Sequence, residues 1–271
     1  MSERSQDLQN WAARDQESYG PHFRIDTGNP EYGFGGGTIY ALIAEKNKQS
    51  SYLGMTEDGQ YNLMNDDCIT ITGTNGKSTT CQLLYEILLK QKFDVKLVGN
   101  IGNPILSAKK IKKKTIFIVE ASSYQLEYSQ LFRSRYAAIL NLSADHLDRH
   151  RTLNNYVKAK FKLLSNQSVR DMFFVNKYDL LSQKELNSRS FKSNIISVDT
   201  KGTDCFLKRF NNNYFLTETN RENLTFVLEI SKKLRLEKKL LKKTIQNFKG
   251  LKYRQQVIFK KKNLTIINDS K

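Results

Sequence analysis

Gly73-Thr74-Asn75-Gly76-Lys77-Ser78-Thr79 groups two glycines, a lysine and four polar side chains in seven positions. Glycines let a loop turn its backbone N–H groups onto phosphate oxygens, and a helix starting directly afterwards adds positive potential. Lys77 can reach the β- and γ-phosphates of a nucleotide, and the Ser78 or Thr79 hydroxyl can ligate Mg²⁺. The usual G-x-x-x-x-G-K-[ST] pattern needs glycine at position 71, where Ile71 stands, so the loop is a shortened variant. Glu120 ends an apolar run, Ile116-Phe117-Ile118-Val119. At the carboxyl edge of a parallel sheet it would lie beside the loop, where a carboxylate can hold a Mg²⁺ bridging two phosphates. His146 follows another such run, Ala137–Asn141, and His150 lies four residues on. A histidine pair of this kind is more often hydrogen-bonded at a surface than metal-bound, and His150 is read as structural.

These groups need elements to place them. Cys68–Thr72 is a β-branched run that ends at Gly73, and Lys77–Gln91 reads as a helix with Leu84, Ile87 and Leu88 at i, i+3, i+4. Further strands are predicted at Val95–Val98, Thr115–Glu120, Tyr136–Asn141, Met172–Asn176 and Asn194–Val198, and helices at Leu153–Leu164, Asn223–Leu234 and Lys238–Phe248. Strands alternating with helices imply an α/β fold with a mostly parallel sheet and helices on both faces. Gln256–Phe259 and Leu264–Ile267, around Lys260-Lys261-Lys262-Asn263, read as a hairpin.

Composition divides the chain near Cys68. Residues 1–67 carry 5 Lys+Arg against 11 Asp+Glu, a net charge of −6, and 8 of the 14 glycines. Residues 68–271 carry the remaining 39 and 16, a net charge of +23. The expected organisation is an unassigned acidic segment at 1–67, a nucleotide-binding domain at 68–250 and the start of another domain at 251–271. No run of eighteen apolar residues is present and the first residues lack an apolar core, so neither a membrane span nor a secretory leader is expected. Three cysteines, Cys68, Cys81 and Cys205, show no metal spacing and suggest a reducing, cytoplasmic setting. A monomer is expected.

The shortened loop resembles that of the Mur ligases and folylpolyglutamate synthetases, which make amide bonds through acyl phosphates. Gly99-Asn100-Ile101-Gly102-Asn103-Pro104, Glu120-Ala121-Ser122-Ser123-Tyr124-Gln125-Leu126-Glu127 and Asp145-His146-Leu147-Asp148-Arg149-His150 are similar to the D-glutamate-adding branch of the Mur ligases, in family order. The resemblance implies an ATP- and Mg²⁺-dependent ligase of peptidoglycan precursor synthesis, joining D-glutamate to UDP-N-acetylmuramoyl-L-alanine. It implies that Lys77, His146 and Lys160 are catalytic, with His146 a ligand of a second Mg²⁺. Lys160 is four residues after Tyr156, where the family carries a carbamylated lysine. Such a carbamate would be an anionic oxygen ligand, whereas the plain reading of Lys158 and Lys160 is a solvated cationic face.

By the same resemblance Asn100 positions the carboxylate substrate, and Ser122 and Gln125 contact the sugar-nucleotide side. Thr219-Asn220-Arg221-Glu222-Asn223 is similar to the family's His-Asn-x-x-Asn segment, so Asn220 and Asn223 would bind the adenine or phosphates. Asn220 alternatively caps the helix. Lys252-Tyr253-Arg254-Gln255-Gln256 stands where the family has a hinge, keeping Arg254, and Asp269 would hold the ribose. The chain stops two residues later, and on that reading it is expected not to ligate alone. Two alternatives remain: a non-catalytic ATP-binding fragment, or a basic P-loop ATPase that binds nucleic acid through Lys109–Lys114 and Lys232–Lys243. The lysines lack interleaved aromatics, so nucleic acid is the less favoured partner.

Overall fold

The computed structural model describes residues 68–103, 111–112, 114–129, 132–201, 210–251, 254, 256–261 and 264–268. The expectations for residues 1–67, Cys205, Asp269 and half of the Lys109–Lys114 run lie outside these.

β1 (Cys68–Thr72) leads through the glycine loop into α1 (Lys77–Lys90). β2 (Val95–Gly99), β3 (Ile116–Glu120), α2 (Ser123–Tyr128), β4 (Tyr136–Ile139), α3 (Leu147–His150) and α4 (Leu153–Phe161) follow. Next come β5 (Met172–Asn176), α5 (Leu180–Ser188), β6 (Asn194–Val198), α6 (Glu218–Lys233) and α7 (Lys238–Asn247). β7 (Gln256–Lys261) and β8 (Leu264–Asn268) form a separate antiparallel hairpin.

Six parallel strands form one sheet in the order β2-β3-β1-β4-β5-β6. The chain leaves central β1 for one edge and then crosses to build the other half. The carboxyl end of β1 is therefore the switch point, where open α/β sheets bind ligands. Register pairs Ile71 with Glu120 and Thr72 with Ile139, so the ends of β1, β3 and β4 are level.

Both faces of the sheet are covered, as the strand–helix alternation predicts. Ile69, Ile71, Ile118, Ala138 and Phe174 face a core completed by Leu84, Ile87 and Leu88 of α1, Leu224, Val227 and Ile230 of α6, and Ile245 of α7. Cys68, Phe117, Val119, Ala137, Ile139, Phe173 and Val175 face the opposite core, with Leu126 of α2 and Tyr156, Val157 and Phe161 of α4. With both faces dry, central strands read as continuous apolar runs. Truncating Leu84 to alanine here would cost about 2–5 kcal/mol.

The differences from expectation are local. α2 and α3 are too short to show a helical period, and α5 carries mostly polar residues; caps start two of the three, Ser122 for α2 and Asp179 for α5. α6 begins at Glu218 rather than Asn223, because Thr217 is its N-cap and accepts from Asn220 N. Asn220 therefore does not cap the helix. Among the described residues no helix is long and apolar enough to cross a membrane.

Candidate active site

A cleft of about 450 Å³ opens over the carboxyl ends of β1 and β3. Its floor is residues 74–78, and its walls are Asn100 and Glu120, the start of α2, Asp145 and His146, Tyr156 and Lys160 of α4, and Arg254.

The loop is held from several sides. Thr74 N donates to Asn141 O at 2.9 Å, Asn75 N to Asn141 Oδ1 at 2.8 Å, and Asn141 Nδ2 returns a bond to Asn75 O at 3.2 Å. Thr74 Oγ1 lies 2.9 Å from the Tyr156 hydroxyl. The Lys77 ammonium folds back onto the carbonyls of Gly73 and Thr74 at 2.9 and 2.8 Å. Gly76 is the N-cap of α1 at φ 84°, with no side-chain cap bond, so the helix opens with its amides toward the cleft end of β1. Gly73, Ser78 and Thr79 complete this segment. Ser78 lines the cleft, while the Thr79 hydroxyl sits 3.4 Å from that of Tyr214.

Glu120 is 2% exposed. Its Oε1 accepts from Asn100 Nδ2 at 3.1 Å, while Oε2 has no hydrogen-bond partner. A buried carboxylate oxygen without a partner is costly unless a cation completes it. The end of β2 comes close enough to place Asn100 because residue 99 is glycine: at φ 103° a β-carbon there would stand 2.4 Å from Glu120 O. Among the described residues no three His, Cys, Asp or Glu side chains converge. One carboxylate and the Ser78 hydroxyl instead suit Mg²⁺, which keeps waters and takes substrate phosphate oxygens.

Lys160 is as buried as Glu120 and is not on a solvated face. Nζ donates to Gly73 O at 3.0 Å and Thr72 Oγ1 at 3.3 Å, and lies 4.8 Å from the Tyr156 ring centroid. Burial first, and the Lys77 charge second, push its pKa well below that of an ordinary lysine, against the pull of Asp145 and Glu120. The site thus favours a neutral amine. His146 takes a left-handed backbone (φ 54°), with Nε2 3.4 Å from Asp145 Oδ2 and its ring 4.9 Å from that of Tyr124. His150 is buried outside the cleft, with Nε2 3.0 Å from Ser123 Oγ and its ring stacked on Tyr124. That agrees with its structural reading.

Other expected residues carry structural duties. Ser122 and Gln125 line the cleft, but they bond each other in a reciprocal capping box that starts α2. Asn220 is buried and holds Tyr214 O at 2.9 Å. Asn223 is 1% exposed, packs against Gly76, and neither its Oδ1 nor its Nδ2 has a partner. Arg254 reaches the cleft wall, its carbonyl 3.4 Å from the Tyr214 hydroxyl. Asn141, Tyr124, Asp145 and Tyr156 were not named as site residues from sequence. Asn141 carried the same signal as Glu120, a polar residue closing an apolar strand beside the loop.

Comparison with known proteins agrees with this geometry. Residues 71–247 match the Mur ligase middle domain. The chain is 33% identical over 248 residues to the UDP-N-acetylmuramoylalanine–D-glutamate ligase of Clostridioides difficile, covering 85% of this chain and 55% of that protein. It is 34% identical over 247 residues to the ligase of that name from Prochlorococcus marinus, covering 85% and 53%. The chain thus spans about half the length of the curated relatives it matches. The structure of MurF ligase from Thermotoga maritima in complex with ADP superposes with a TM-score of 0.58 at 17% identity, over 76% of this chain and 53% of that one.

Proposed function

This chain belongs to the Mur ligase family, and from that premise we propose that it forms the ATP-binding core of an amide ligase joining D-glutamate to UDP-N-acetylmuramoyl-L-alanine. The observation that carries the reading is the convergence of Lys77, Glu120, His146 and Lys160 on one cleft at the switch point of the sheet. The sequence similarity to D-glutamate ligases supports the choice of substrates.

In this reading the phosphate loop binds ATP, with the Lys77 ammonium turning from its loop carbonyls to the phosphoryl oxygens. A carboxylate oxygen of the muramoyl-alanine attacks the γ-phosphorus, ADP leaves, and an acyl phosphate forms. The D-glutamate amine then adds to the acyl carbon, and phosphate departs. Lys77 neutralises charge developing on the transferred group, worth more in a cleft than in water. Ser78 and Glu120, and at a second position His146 and Lys160, would hold Mg²⁺, which supplies Lewis-acid charge at phosphate oxygens. The unpartnered Oε2 of Glu120 fits that duty. Lys160 would serve as its carbamate: the neutral amine forms an N–C bond to CO₂ and releases a proton. Asn100 keeps Glu120 aimed and the carboxylate substrate in place. Asn223 and Arg254 attend the nucleotide, with Asp269 on the ribose.

The family match gives the nucleic-acid alternative no support. The test is calorimetric binding of Mg·ADP, followed by ADP release from Mg·ATP with and without UDP-N-acetylmuramoyl-L-alanine and D-glutamate. Binding that is lost in Lys77→Ala, and release that depends on the muramoyl substrate, are expected. Wild-type affinity in Lys77→Ala would remove the phosphate-loop assignment, and release indifferent to the muramoyl substrate would remove the ligase assignment.

A further inference from the structure

Thr74 and Asn75 stand at the tip of the phosphate loop, where every backbone N–H is a candidate phosphate donor. Both are already engaged. Thr74 N is bound by the main-chain carbonyl of Asn141, and Asn75 N by the side-chain oxygen of the same residue. The Asn141 amide also donates to Asn75 O, so one side chain holds the Asn75 backbone through both its N–H and its carbonyl. Thr74 is held further through Oγ1, which accepts from Ser143 N at 3.0 Å and meets the Tyr156 hydroxyl. Beyond this clamp Gly76 turns left-handed and α1 begins, and the first amides of a helix have no intrahelical partners.

We propose that Asn141 is the positioning residue of the phosphate loop: by holding Thr74 and Asn75 against the end of β4, it assigns phosphate binding to the amides from Gly76 onward. The proposal rests on reading Gly73–Thr79 as a phosphate loop and adds how its donors are divided. Asn141 suits the task because it follows β4, and β4 pairs with β1 in fixed register. The loop is thereby tied to the neighbouring strand rather than left to its glycines. An asparagine side chain offers an acceptor and a donor on one planar amide, which matches the N–H and C=O flanking one residue. No aliphatic side chain does this.

Two measurements test it. In ligand-free wild-type protein, the amides of Thr74 and Asn75 exchange with deuterium more slowly than those of Gly76 and Ser78, and ADP slows only the latter pair further. Equal, fast exchange across residues 74–78 in the ligand-free protein overturns the proposal, whether or not nucleotide binds. In Asn141→Leu, ADP affinity falls about tenfold or more, because the loop is in its binding-competent arrangement only a small fraction of the time. AMP, which lacks the β-phosphate, binds as before, and the thermal midpoint stays near wild type. A merely structural role would instead lower the midpoint and both affinities together. Unchanged ADP affinity, or parallel loss of ADP and AMP, sinks the assignment. If the wild type binds no ADP, the phosphate-loop reading fails separately and the ligand-free exchange still decides the role of Asn141.

Discussion

Gly76 and Asn223 share one small space: a β-carbon at residue 76 would stand 2.0 Å from Asn223 Oδ1. The two residues are far apart in sequence, yet α6 lays an unpartnered, buried amide directly on the turn of the phosphate loop. Gly76 also holds φ 84°, which costs a residue with a side chain roughly 1–2 kcal/mol. Gly76→Ala is therefore expected to lower the thermal midpoint and abolish ADP binding. Adding Asn223→Ala should restore part of the stability by removing the clash, while the backbone strain persists. A Gly76→Ala protein that binds ADP normally would contradict this.

Asn223→Ala alone separates stability from function. Each unsatisfied buried polar group costs about 1–3 kcal/mol, so removing this amide offsets the lost packing. The ligand-free midpoint is expected to hold or rise, while ADP affinity drops about tenfold, the worth of one well-made hydrogen bond. Parallel melting curves and calorimetry check both halves.

Glu120→Gln should show the same split with metal as the ligand. Neutralising a buried carboxylate with one bare oxygen removes a desolvation cost. The expected ligand-free midpoint is at or above wild type, while Mg²⁺ ceases to strengthen ADP binding. Retained Mg²⁺ dependence would show that Glu120 is not a ligand.

Lys160 makes two claims. With Mg²⁺ and ¹³C-labelled bicarbonate, a carbamate resonance is expected that disappears in Lys160→Ala, and a small added carboxylate should restore some activity to that variant. Without CO₂ and metal, the sign of the pH dependence follows from its lowered pKa. Between the depressed folded value and the ordinary lysine value of about 10.4, the unfolded chain binds the extra proton, so stability rises with pH. Lys160→Met should flatten that slope. An unchanged slope would place the ammonium in an ordinary environment.

Asp171 governs the acid side. Burial is the largest influence on its pKa and raises it, but hydrogen bonds from Arg133 and from the backbone and side chain of Ser168 outweigh burial, and the net value is lowered. Arg133 grips both oxygens, at 2.8 and 3.0 Å. Its stabilising contribution is complete above the ordinary carboxylate pKa of about 3.9 and is lost as pH falls through the folded value. Asp171→Asn should cost about 2–3 kcal/mol at neutral pH, and the cost should shrink as pH falls through the lowered folded value. Denaturant titrations at neutral and acid pH would expose an error in either direction.

The strand–loop–helix unit from Cys68 to Lys90 was legible because its determinants are local. A β-branched run, a glycine turn and Leu84, Ile87 and Leu88 at helical spacing depend on neighbours a few positions away. The same local logic located Lys77, at the start of the helix after the loop, and Glu120, at the end of its strand. It could not show α2 or α5, whose starts rest on capping side chains rather than on a period. Nor could it say what each polar side chain would meet. Asn220 and Asn223 look equivalent one turn apart, yet Asn220 is spent on Tyr214 O and only Asn223 is left bare against Gly76. Ser122 and Gln125 read as substrate contacts; they line the cleft and also bond each other in the cap of α2, while Asn141 read as a strand end and grips the loop. By residue type alone Lys160 reads as a solvated cation, and only the family resemblance set it at the metal site; it lies buried beneath Gly73. Pattern specifies elements because backbone geometry repeats over a few residues. Burial, pairing and the pKa of a side chain are set by segments distant in the chain, and only the packed sheet and its helices brought those together.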